Sequence, residues 1–510
     1  MLLNFSGKII EYFIKQRFEY IEDAALHPIQ KQEHLLFSNL KSAENTTFGK
    51  AHHFEAINTI QTFQDQVPLS DYESLLPYFE EIAKGKADVL WPGKVDWFAK
   101  SSGTTSAKSK YIPLTQETLK GCHFKGGKDL LTLYQTHFPF QDIFSGKTLV
   151  MGGSHGLGEF SEQAHQGDLS AIIIEHLPLW VNRRQCPTKK TALLSDWETK
   201  LENMAEEASK EDIRSISAIP SWLIVLFRKI LKNNDLKSIS ELWPNLELIM
   251  HGGVSLTPYR EELERLIGKK VSYIEVFNAS EGSFAIQDKP EHLGMLLMVD
   301  YGIFYEFIPM NSSENSVPLT LSEVELNTTY AMVISTNSGL WRYQLGDTIQ
   351  FTTLKPFRIK IVGRTKQYIN SFGEELMVHN AEKALELCCE RLTCSVKEFT
   401  VGPRLLEAGS CGFHDWYIEF EHPPNQLVDF ENDLDAILQE LNSDYEAKRH
   451  KNYILKNLKI KSLKENTFYN WMKSKGKLGG QHKVPRLSNS SQFLDEIDAF
   501  LQDNISTKKP

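Results

Sequence analysis

Apolar and polar positions along the chain follow two alternating periods, and together they predict an α/β protein. Over residues 6–25, apolar side chains recur at helical spacing, which predicts an amphipathic helix. Further along, short apolar runs typical of buried strands alternate with stretches of helical periodicity, a pattern that indicates helices layered on a sheet. The predicted strands are 147–151, 213–219 and 246–250, and the predicted helices are 196–209, 222–232 and 258–267.

The periodic pattern changes in the second half of the chain. Residues 271–362 contain many short β-type runs, whereas the residues beyond 365 mix helical and strand-like segments. A chain of 510 residues is also too long for one ordinary hydrophobic core. We therefore expect a large α/β domain with several sheets over residues 1–364 and a smaller α+β domain over residues 365–510.

The composition is that of a soluble globular protein, with 41% hydrophobic and 24% charged residues and no apolar run long enough to span a membrane. The net charge of −10 argues against a nucleic-acid-binding surface. The six cysteines show neither Cys-x-x-Cys pairs nor histidines at zinc spacing, so we expect reduced thiols in the cytosol and no metal site built from them. The basic run 448–451 is interpreted as a solvated helix face.

A hydroxyl-rich loop between two apolar runs is the first candidate for binding chemistry. It reads Ser-Ser-Gly-Thr-Thr-Ser-Ala-Lys-Ser-Lys over residues 101–110, and its glycine lets the backbone approach a ligand closely. Hydroxyl donors and lysines suit the spread negative charge of a triphosphate, although a solvated hairpin loop is an equal interpretation. The candidate phosphate ligands are Ser101, Ser102, Gly103, Thr104, Thr105, Ser106 and Lys110.

Three further polar clusters follow apolar runs, which is where open α/β sheets place ligand-contacting loops, and a fourth lies far downstream. The segment 278–282 offers an amide, a hydroxyl and a carboxylate. Asp347 follows a glycine, in a geometry suited to a carboxylate that accepts both hydroxyls of a ribose. Arg364 lies at the inferred domain boundary, and Lys483 lies in a glycine-rich loop near the C-terminus. Taken alone, each cluster is more typical of a turn or surface loop than of a site.

In their order along the chain, these segments resemble the auxin-responsive Gretchen Hagen family of acyl acid amido synthetases, particularly its bacterial members. The resemblance rests on Ser-Ser-Gly-Thr-Thr at 101–105 followed by Lys-Tyr-Ile-Pro, on Asn-Ala-Ser-Glu-Gly at 278–282, on Arg-Tyr-Gln-Leu-Gly-Asp at 342–347 and on Lys-Val-Pro-Arg at 483–486. The segments 47–50 and 67–73 are also similar to the family, so the resemblance covers nearly the whole chain.

The resemblance implies a large adenylate-forming N-terminal domain, a smaller mobile C-terminal domain and a two-step reaction that uses ATP and Mg²⁺. A carboxylate first displaces pyrophosphate from ATP to give an acyl-adenylate. An amine, expected to be that of an amino acid, then displaces AMP. The partners so implied are small molecules, with neither nucleic acid nor membrane among them.

The same resemblance implies a role for each candidate residue. It implies that Lys110, Glu281 and Lys483 are catalytic, that Glu281 is also the Mg²⁺ ligand, and that Lys483 reaches the reacting groups from the small domain. Contacts to the nucleotide are implied for Ser101, Ser102, Gly103, Thr104, Thr105, Ser106, Asn278, Ala279, Ser280, Asp347 and Arg364.

Three alternatives stay open at this point. An acyl-CoA ligase shares the first half-reaction, and a catalytically inactive nucleotide-binding protein would keep the same motifs. Gly-x-Ser-x-Gly at 152–156 is similar to the nucleophile segment of a serine hydrolase, but the His-Gly-Gly segment at 251–253 follows Ser154, whereas hydrolases place it before the nucleophile. The sequence identifies neither the acid, nor the amine, nor the oligomeric state.

Overall fold

A computed structural model describes most of the chain as two compact units. The larger unit consists of Met1–Leu256, Glu261–Leu345 and Ile349–Lys360, and the smaller unit consists of Thr257–Arg260, Gly346–Thr348 and Ile361–Pro510. The described residues are 2–101, 110–138, 142–153, 155–156, 160–161, 163–253, 256, 259–289, 294–310, 317–364, 368–369, 371–372, 374, 376–405, 412–449, 452, 455–477, 483–488 and 490–506.

The helices up to residue 267 begin with the N-terminal helix that the periodicity predicted, and this prediction is confirmed. They are α1 (Leu2–Leu26), α2 (Pro28–Ala43), α3 (Thr47–Ala51), α4 (Ile60–Gln66), α5 (Tyr72–Ala83), α6 (Gln116–Thr118), α7 (Phe124–His137), α8 (Leu169–Glu175), α9 (Leu179–Asn182), α10 (Lys189–Ala192), α11 (Trp197–Ala208), α12 (Pro220–Asn234), α13 (Ile239–Leu242) and α14 (Arg260–Ile267). A 3₁₀ turn covers Phe54–Ala56, and a π-helical turn covers Leu119–His123.

The strands up to residue 364 supply two sheets. They are β1 (Trp97–Ser101), β2 (Lys110–Leu114), β3 (Lys147–Val150), β4 (His155–Gly156), β5 (His165–Asp168), β6 (Gln185–Cys186), β7 (Ile213–Ser217), β8 (Leu248–Gly252), β9 (Ser272–Ala279), β10 (Gly282–Ile286), β11 (Met295–Leu297), β12 (Ile303–Pro309), β13 (Leu319–Thr320), β14 (Thr329–Thr336), β15 (Tyr343–Leu354) and β16 (Phe357–Arg364). Twelve of them form one mixed sheet in the order β13-β12-β14-β15-β16-β11-β10-β9-β8-β7-β3-β6, and the other four form a second sheet in the order β2-β1-β5-β4.

Local sequence signals explain two helices of the larger unit, α5 and α12. α5 begins at a capping box, because the Asp71 carboxylate accepts the Ser74 N–H at 2.9 Å and the Ser74 hydroxyl accepts the Asp71 N–H at 2.8 Å. α12 buries Leu223, Leu226, Phe227 and Ile230, all at 0% exposure and spaced to form one helix face. The alternation of strand and helical periods is therefore confirmed as an α/β architecture.

The smaller unit is built from short sheets and helices after residue 361. Its strands are β17 (Tyr368–Ile369), β18 (Leu376–Met377), β19 (Ser395–Leu405), β20 (Gly412–His422) and β21 (Lys459–Leu463), and its helices are α15 (Val378–Leu392), α16 (Leu427–Leu441), α17 (Ser443–Arg449), α18 (Thr467–Ser474) and α19 (Gln492–Ser506). β19 pairs antiparallel with β20, and β20 pairs parallel with β21. Side chains from α15, α16 and this sheet form the core of the unit, among them Leu385, Trp416, Ile418, Phe430, Leu434 and Leu438.

The interpretation of the basic run 448–451 as a solvated helix face is wrong at Arg449. Its guanidinium is 9% exposed and forms two hydrogen bonds with the Asp435 carboxylate, at 2.7 and 2.8 Å. A buried guanidinium needs such a partner, and the acidic residue comes from α16, which local charge patterning does not identify.

Within the described ranges, no helix is both long enough and apolar enough to cross a bilayer.

Candidate functional site

Four neighbouring parallel strands of the twelve-stranded sheet end at the same edge. β3 pairs in parallel with β7, β7 with β8, and β8 with β9. The crevice beyond the carboxyl ends of parallel strands is where open α/β sheets bind ligands, so this edge is the first candidate for a site. The residues at or just beyond these strand ends include Gly152, Gly153, Ala218, Gly252, Asn278, Ser280 and Glu281.

The turn between β9 and β10 holds a carboxylate in a buried position. Ala279 pairs with Gly282 across the hairpin, so Ser280 and Glu281 are the two turn residues. They are 6% and 7% exposed, whereas loops and turns usually lie on the surface. A Cβ atom on Gly282 would lie 2.6 Å from Cδ1 of Ile303, which explains a glycine at this close approach. The tight turn therefore keeps the Glu281 side chain largely out of water.

Tyr343 interacts electrostatically with this turn, and Tyr72 connects Tyr343 with Lys110. Burial raises the pKa of the Tyr343 hydroxyl, and the negative charge of Glu281 raises it further, as does the neighbouring Tyr72. The Tyr72 hydroxyl accepts the Tyr111 N–H at 3.0 Å, and the Lys110 ammonium lies 5.4 Å from the centroid of the Tyr72 ring. In the larger unit a series of interactions thus runs from Glu281 through Tyr343 and Tyr72 to Lys110. The sequence motifs contained both tyrosines, but we assigned them no role.

The hydroxyl-rich loop belongs to the hairpin of β1 and β2. Ser101 ends β1 and pairs with Lys110, the first residue of β2, so the loop leaves and re-enters the sheet at one point. This arrangement supports a loop whose two ends are fixed by the second sheet. The proposed phosphate ligands Ser102, Gly103, Thr104, Thr105 and Ser106 lie outside the described residues, and their assignment stays a prediction.

Asp347 and Arg364 lie on β15 and β16. Asp347 is 7% exposed, and it follows Gly346, whose φ of +87° is a left-handed conformation that favours glycine. The segment Gly346–Thr348 groups with the smaller unit, as does Arg364, which ends β16. A carboxylate accepts hydrogen bonds through both oxygens, which is the property that the ribose role requires of Asp347.

A buried ion pair that the sequence did not reveal fixes the start of β15. The Arg342 guanidinium donates to both carboxylate oxygens of Glu306, at 3.0 and 2.9 Å, and the two side chains are 4% and 1% exposed. The same guanidinium donates to the carbonyls of Gln64 and Val67, at 2.8 and 2.7 Å. Arg342 has a φ of +44°, which is a strained value for a residue with a side chain. The network therefore holds the backbone directly before Tyr343 in an uncommon conformation.

A backbone ladder joins the same segment to the residues that precede α5. The Ser70 N–H donates to the Arg342 carbonyl at 2.9 Å, and the Gln344 N–H donates to the Ser70 carbonyl at 2.8 Å. The Ser70 hydroxyl also donates to the Trp341 carbonyl at 2.7 Å. Two sequence segments that both resemble the family, 67–73 and 342–347, are thus neighbours in the fold, and Tyr72 and Tyr343 are placed by this ladder.

Lys200 is a second buried charge that sequence analysis missed. It is 2% exposed, and its ammonium donates to the carbonyls of Gly152 and Gly153, at 2.7 and 2.8 Å. The Gly153 N–H donates to the Ser170 hydroxyl at 2.8 Å. Ser154 itself lies outside the described residues, but the chain resumes at His155 in strand β4, whereas the nucleophile of an α/β-hydrolase is followed by a helix. This observation argues against the serine hydrolase alternative.

Lys200→Met is expected to remove a pH-dependent part of the unfolding free energy. Burial lowers the pKa of Lys200 from 10.5 to about 8 in the folded protein. Unfolding therefore takes up a proton between these two pH values, and the wild type gains stability relative to the variant as the pH rises through this window. We expect the difference in unfolding free energy to change by about 1–3 kcal/mol, measured by urea denaturation at several pH values. Lys210→Met, at an exposed lysine, is the control, and a pH-independent difference for Lys200→Met would contradict the lowered pKa.

Lys483 is exposed and begins a segment that pairs with β19. The Thr400 hydroxyl donates to the Pro485 carbonyl at 2.6 Å, and the Val401 N–H donates to the Arg486 carbonyl at 2.9 Å. These bonds fix the backbone two and three residues after Lys483. The Lys483 side chain therefore extends from a backbone segment that is anchored to β19.

Arg486 strengthens this anchor with its side chain. Its guanidinium forms an ion pair with Glu398, donates to the Tyr259 hydroxyl at 3.0 Å, and lies 4.5 Å from the centroid of the Phe399 ring. Burial lowers the pKa of this guanidinium, but the surrounding charges of Glu398, Tyr259 and Glu382 more than compensate and raise it overall. Arg486 was part of the quoted motif, but its structural role depends on partners far away in the sequence.

Comparison with known proteins gives a family for the whole arrangement. Residues 17–271 match the GH3 family N-terminal domain, residues 296–364 match the GH3 family central domain, and residues 379–492 match the GH3 family C-terminal domain. The 4-substituted benzoates-glutamate ligase GH3.12 of Arabidopsis thaliana is 22% identical over 86% of this chain and 89% of that protein.

Solved structures share the fold at lower sequence identity. The AtGH3.15 acyl acid amido synthetase in complex with 2,4-DB superposes with a TM-score of 0.79 at 18% identity, over 95% of this chain and 96% of the other. A 2-hydroxyisobutyryl-CoA ligase in the postadenylation state, in complex with R3-HIB-AMP, gives a TM-score of 0.61 at 10% identity, over 94% and 92% of the two chains. The resemblance read from the motifs is thereby confirmed, and the chain belongs to the GH3 family, with the fold of adenylate-forming enzymes.

Proposed function

We infer that the chain is an ATP-dependent, AMP-forming ligase that activates a carboxylic acid as an acyl-adenylate and transfers the acyl group to an amine. The observation that carries this conclusion is the match of all three GH3 domains in order along the chain. The structure supports it through the buried Glu281, whose charge acts on Tyr343. We further propose that the amine is that of an amino acid, since a relative is named a benzoates-glutamate ligase.

The chemistry of the two steps explains why such residues are needed. In the first step an oxygen of the acid attacks the α-phosphate of ATP, and the bond to pyrophosphate breaks. In the second step the amine attacks the acyl carbon, loses a proton, and displaces AMP. Negative charge builds on the phosphate oxygens first and on the carbonyl oxygen later, and preorganised cations and donors stabilise both stages. We propose that Lys110 and the hydroxyl-rich loop serve the phosphates and that Lys483 serves the reacting groups.

Mg²⁺ is proposed to bind at Glu281 on the basis of donor chemistry. Mg²⁺ prefers oxygen ligands and commonly binds through one or two carboxylates together with substrate phosphates. Glu281 offers one such carboxylate, and among the described residues no group of three or more His, Cys, Asp or Glu side chains is arranged to hold a metal by itself. A single buried carboxylate fits a metal that would be shared with the nucleotide. Glu281 would hold the ion, and the ion would supply neutralisation of phosphate charge.

Several finer assignments remain proposals. We propose that the catalytic domains are residues 1–364 and 365–510, that the nucleotide contacts include Asn278, Ala279 and Ser280, and that Arg364 contributes at the hinge. The side chain of Asn278 is exposed at the end of β9, where it is accessible to a ligand. A bacterial origin and a cytosolic location also stay predictions from the sequence, and the relative and AtGH3.15 named above are plant proteins.

The decisive experiment separates adenylation from acyl transfer. Exchange of labelled pyrophosphate into ATP is measured across a panel of carboxylic acids, and mass spectrometry then identifies products formed with mixed amino acids or with CoA. We expect acid-dependent exchange and an amide product. A thioester product without amide would favour an acyl-CoA ligase. Failure of every acid to support exchange, together with stoichiometric fluorophosphonate labelling at Ser154, would favour the hydrolase.

Asp347→Asn is expected to weaken ATP binding about tenfold, because hydrogen bonds from two ribose hydroxyls to a carboxylate lose the contribution of the charge. The dissociation constant is measured by calorimetry in the presence of Mg²⁺. Gln344→Ala, at an exposed residue on the same strand, is the matched control and should bind ATP as the wild type does. Equal ATP affinity in a folded Asp347→Asn variant would remove Asp347 from the nucleotide site.

A further inference from the structure

The C-terminal end of α15 brings two cysteines together. The helix ends at Leu392 and is followed by Thr393, whose φ of +51° is left-handed, and the N–H groups of Thr393 and Cys394 both donate to the Cys389 carbonyl, the latter at 3.1 Å. The bond from Cys394 is that of the Schellman motif, in which the residue five positions after the bonded carbonyl folds back over the last turn. The side chains at those two positions normally make an apolar contact. In this chain both positions are cysteine.

Two partly exposed thiols occupy the positions that this turn brings together. They are close enough to influence each other's ionisation. An apolar contact would leave the sulfurs inert, as in most buried cysteines. Here, in contrast, both cysteines are partly exposed to small solutes in solvent.

We propose that Cys389 and Cys394 form an oxidisable dithiol, a modification site at which a peroxide converts the two thiols to an intrachain disulfide. The geometry carries the proposal, because the hydrogen bond from the Cys394 N–H to the Cys389 carbonyl holds the two backbones together at the helix end, in positions whose side chains normally touch. The proposal goes beyond acyl transfer and does not depend on it.

The electrostatics of the pair favour one order of events. The neighbouring Cys389 thiol lowers the pKa of Cys394, because it stabilises the thiolate form, and the proximity of Cys394 raises the pKa of Cys389. The Cys394 thiolate attacks one oxygen of hydrogen peroxide, and the O–O bond breaks to give a sulfenic acid and hydroxide, which takes up a proton to form water. The Cys389 sulfur then attacks the sulfenic sulfur, loses its proton, and releases the second water. Two thiols and one peroxide thus give one disulfide and two waters.

Cys388 provides a matched control on the same helix. It is 0% exposed and its thiol points to the Phe430 carbonyl, with the sulfur and oxygen 3.7 Å apart. Burial raises the pKa of the Cys388 thiol. It should therefore oxidise slowly, although it is the sequence neighbour of Cys389.

The test uses the full-length, fully reduced protein and dilute hydrogen peroxide. The number of free thiols per chain, titrated after denaturation, should fall from six toward four. Tryptic digestion without reduction should join peptide 384–391 to peptide 392–397, because Arg391 and Lys397 are cleavage sites that separate the two cysteines. The joined species should weigh two hydrogens less than the separate peptides and should disappear on reduction. The rate of its formation should exceed the rate of Cys388 oxidation by about tenfold or more.

Serine variants identify the two cysteines that form the disulfide. Cys389→Ser and Cys394→Ser should each abolish the joined peptide, and Cys388→Ser should retain it. Loss of the joined peptide in Cys388→Ser would overturn the assignment of Cys389. Oxidation of the wild type that yields only separate sulfinic acids, or a disulfide to Cys411, would overturn the proposed pair. No loss of thiols under peroxide that oxidises a small-molecule dithiol would overturn it as well.

Discussion

Replacing Lys483 with alanine is expected to slow at least one half-reaction by about 10²-fold or more, the scale for loss of one preorganised charged group. ATP binding should stay nearly unchanged, because the proposed nucleotide contacts come from other residues. A lysine suits the proposed role, since its compact charge on a flexible stem can follow negative charge as it moves between phosphate and carboxylate oxygens. The anchored backbone at Pro485 and Arg486 supplies the fixed base from which this stem extends.

The measurement separates the two steps of the Lys483→Ala variant. Pyrophosphate exchange reports adenylation, and amide formation from supplied acyl-adenylate reports acyl transfer. Lys477→Ala, at another exposed lysine shortly before this segment, is the control and should act as the wild type does. If both steps of Lys483→Ala run at wild-type rates, Lys483 is an ordinary surface residue and the proposed role of the small domain fails.

Glu306→Gln is expected to destabilise the protein by about 3–5 kcal/mol, the typical cost of breaking a buried ion pair by removing one partner. The variant leaves the Arg342 charge buried, with its carbonyl contacts but without a counter-charge. The exposed pair of Lys210 and Glu206 is the control, and Glu206→Gln should change the unfolding free energy by less than about 1 kcal/mol. The unfolding free energies of the two variants are measured by urea denaturation, monitored by tryptophan fluorescence.

A double variant distinguishes an uncompensated charge from a loss of shape. Arg342→Met combined with Glu306→Leu removes both charges, and it should be less destabilised than Glu306→Gln alone if the buried charge is the main cost. If Glu306→Gln proves as stable as the wild type, the ion pair does not hold the start of β15. In that case the strained conformation of Arg342 needs another support.

The parts of the fold that sequence analysis predicted are those that local periodicity determines. The helix predicted at 222–232 appears as α12, Pro220–Asn234, because its apolar residues repeat at helical spacing and need only one buried face. The strand predicted at 246–250 appears as β8, Leu248–Gly252, two residues later. The difference arises because strand ends depend on pairing with neighbouring strands, which periodicity does not contain.

The residues of the candidate site also fall into two groups, those that a sequence motif indicates and those that depend on distant partners. The resemblance to the family indicated Glu281, and the structure adds that its turn is buried, which no local pattern indicated. Lys200 and the pair of Arg342 and Glu306 were not predicted, because a charged residue is ordinarily expected on the surface and its buried partner comes from a distant segment. Tyr72 could have been singled out, since it lies in the family-like segment 67–73 directly after the capping residue Asp71.

The two-residue length of the β9–β10 turn limits how this region can change by insertion or deletion. Backbone pairing closes the hairpin at Ala279 and Gly282, so one added residue would either lengthen the turn and displace the Glu281 side chain or shift the register of β10, which already has an irregularity between Ser283 and Ala285. Side chains of a strand alternate between its faces, and a shift by one position would exchange the two faces along β10, whose five residues are all buried. We therefore expect homologous chains that use the proposed Glu281 site to keep both the glutamate and the two-residue length of the turn, which makes the separation between the end of β9 and the start of β10 a second marker for aligning distant sequences.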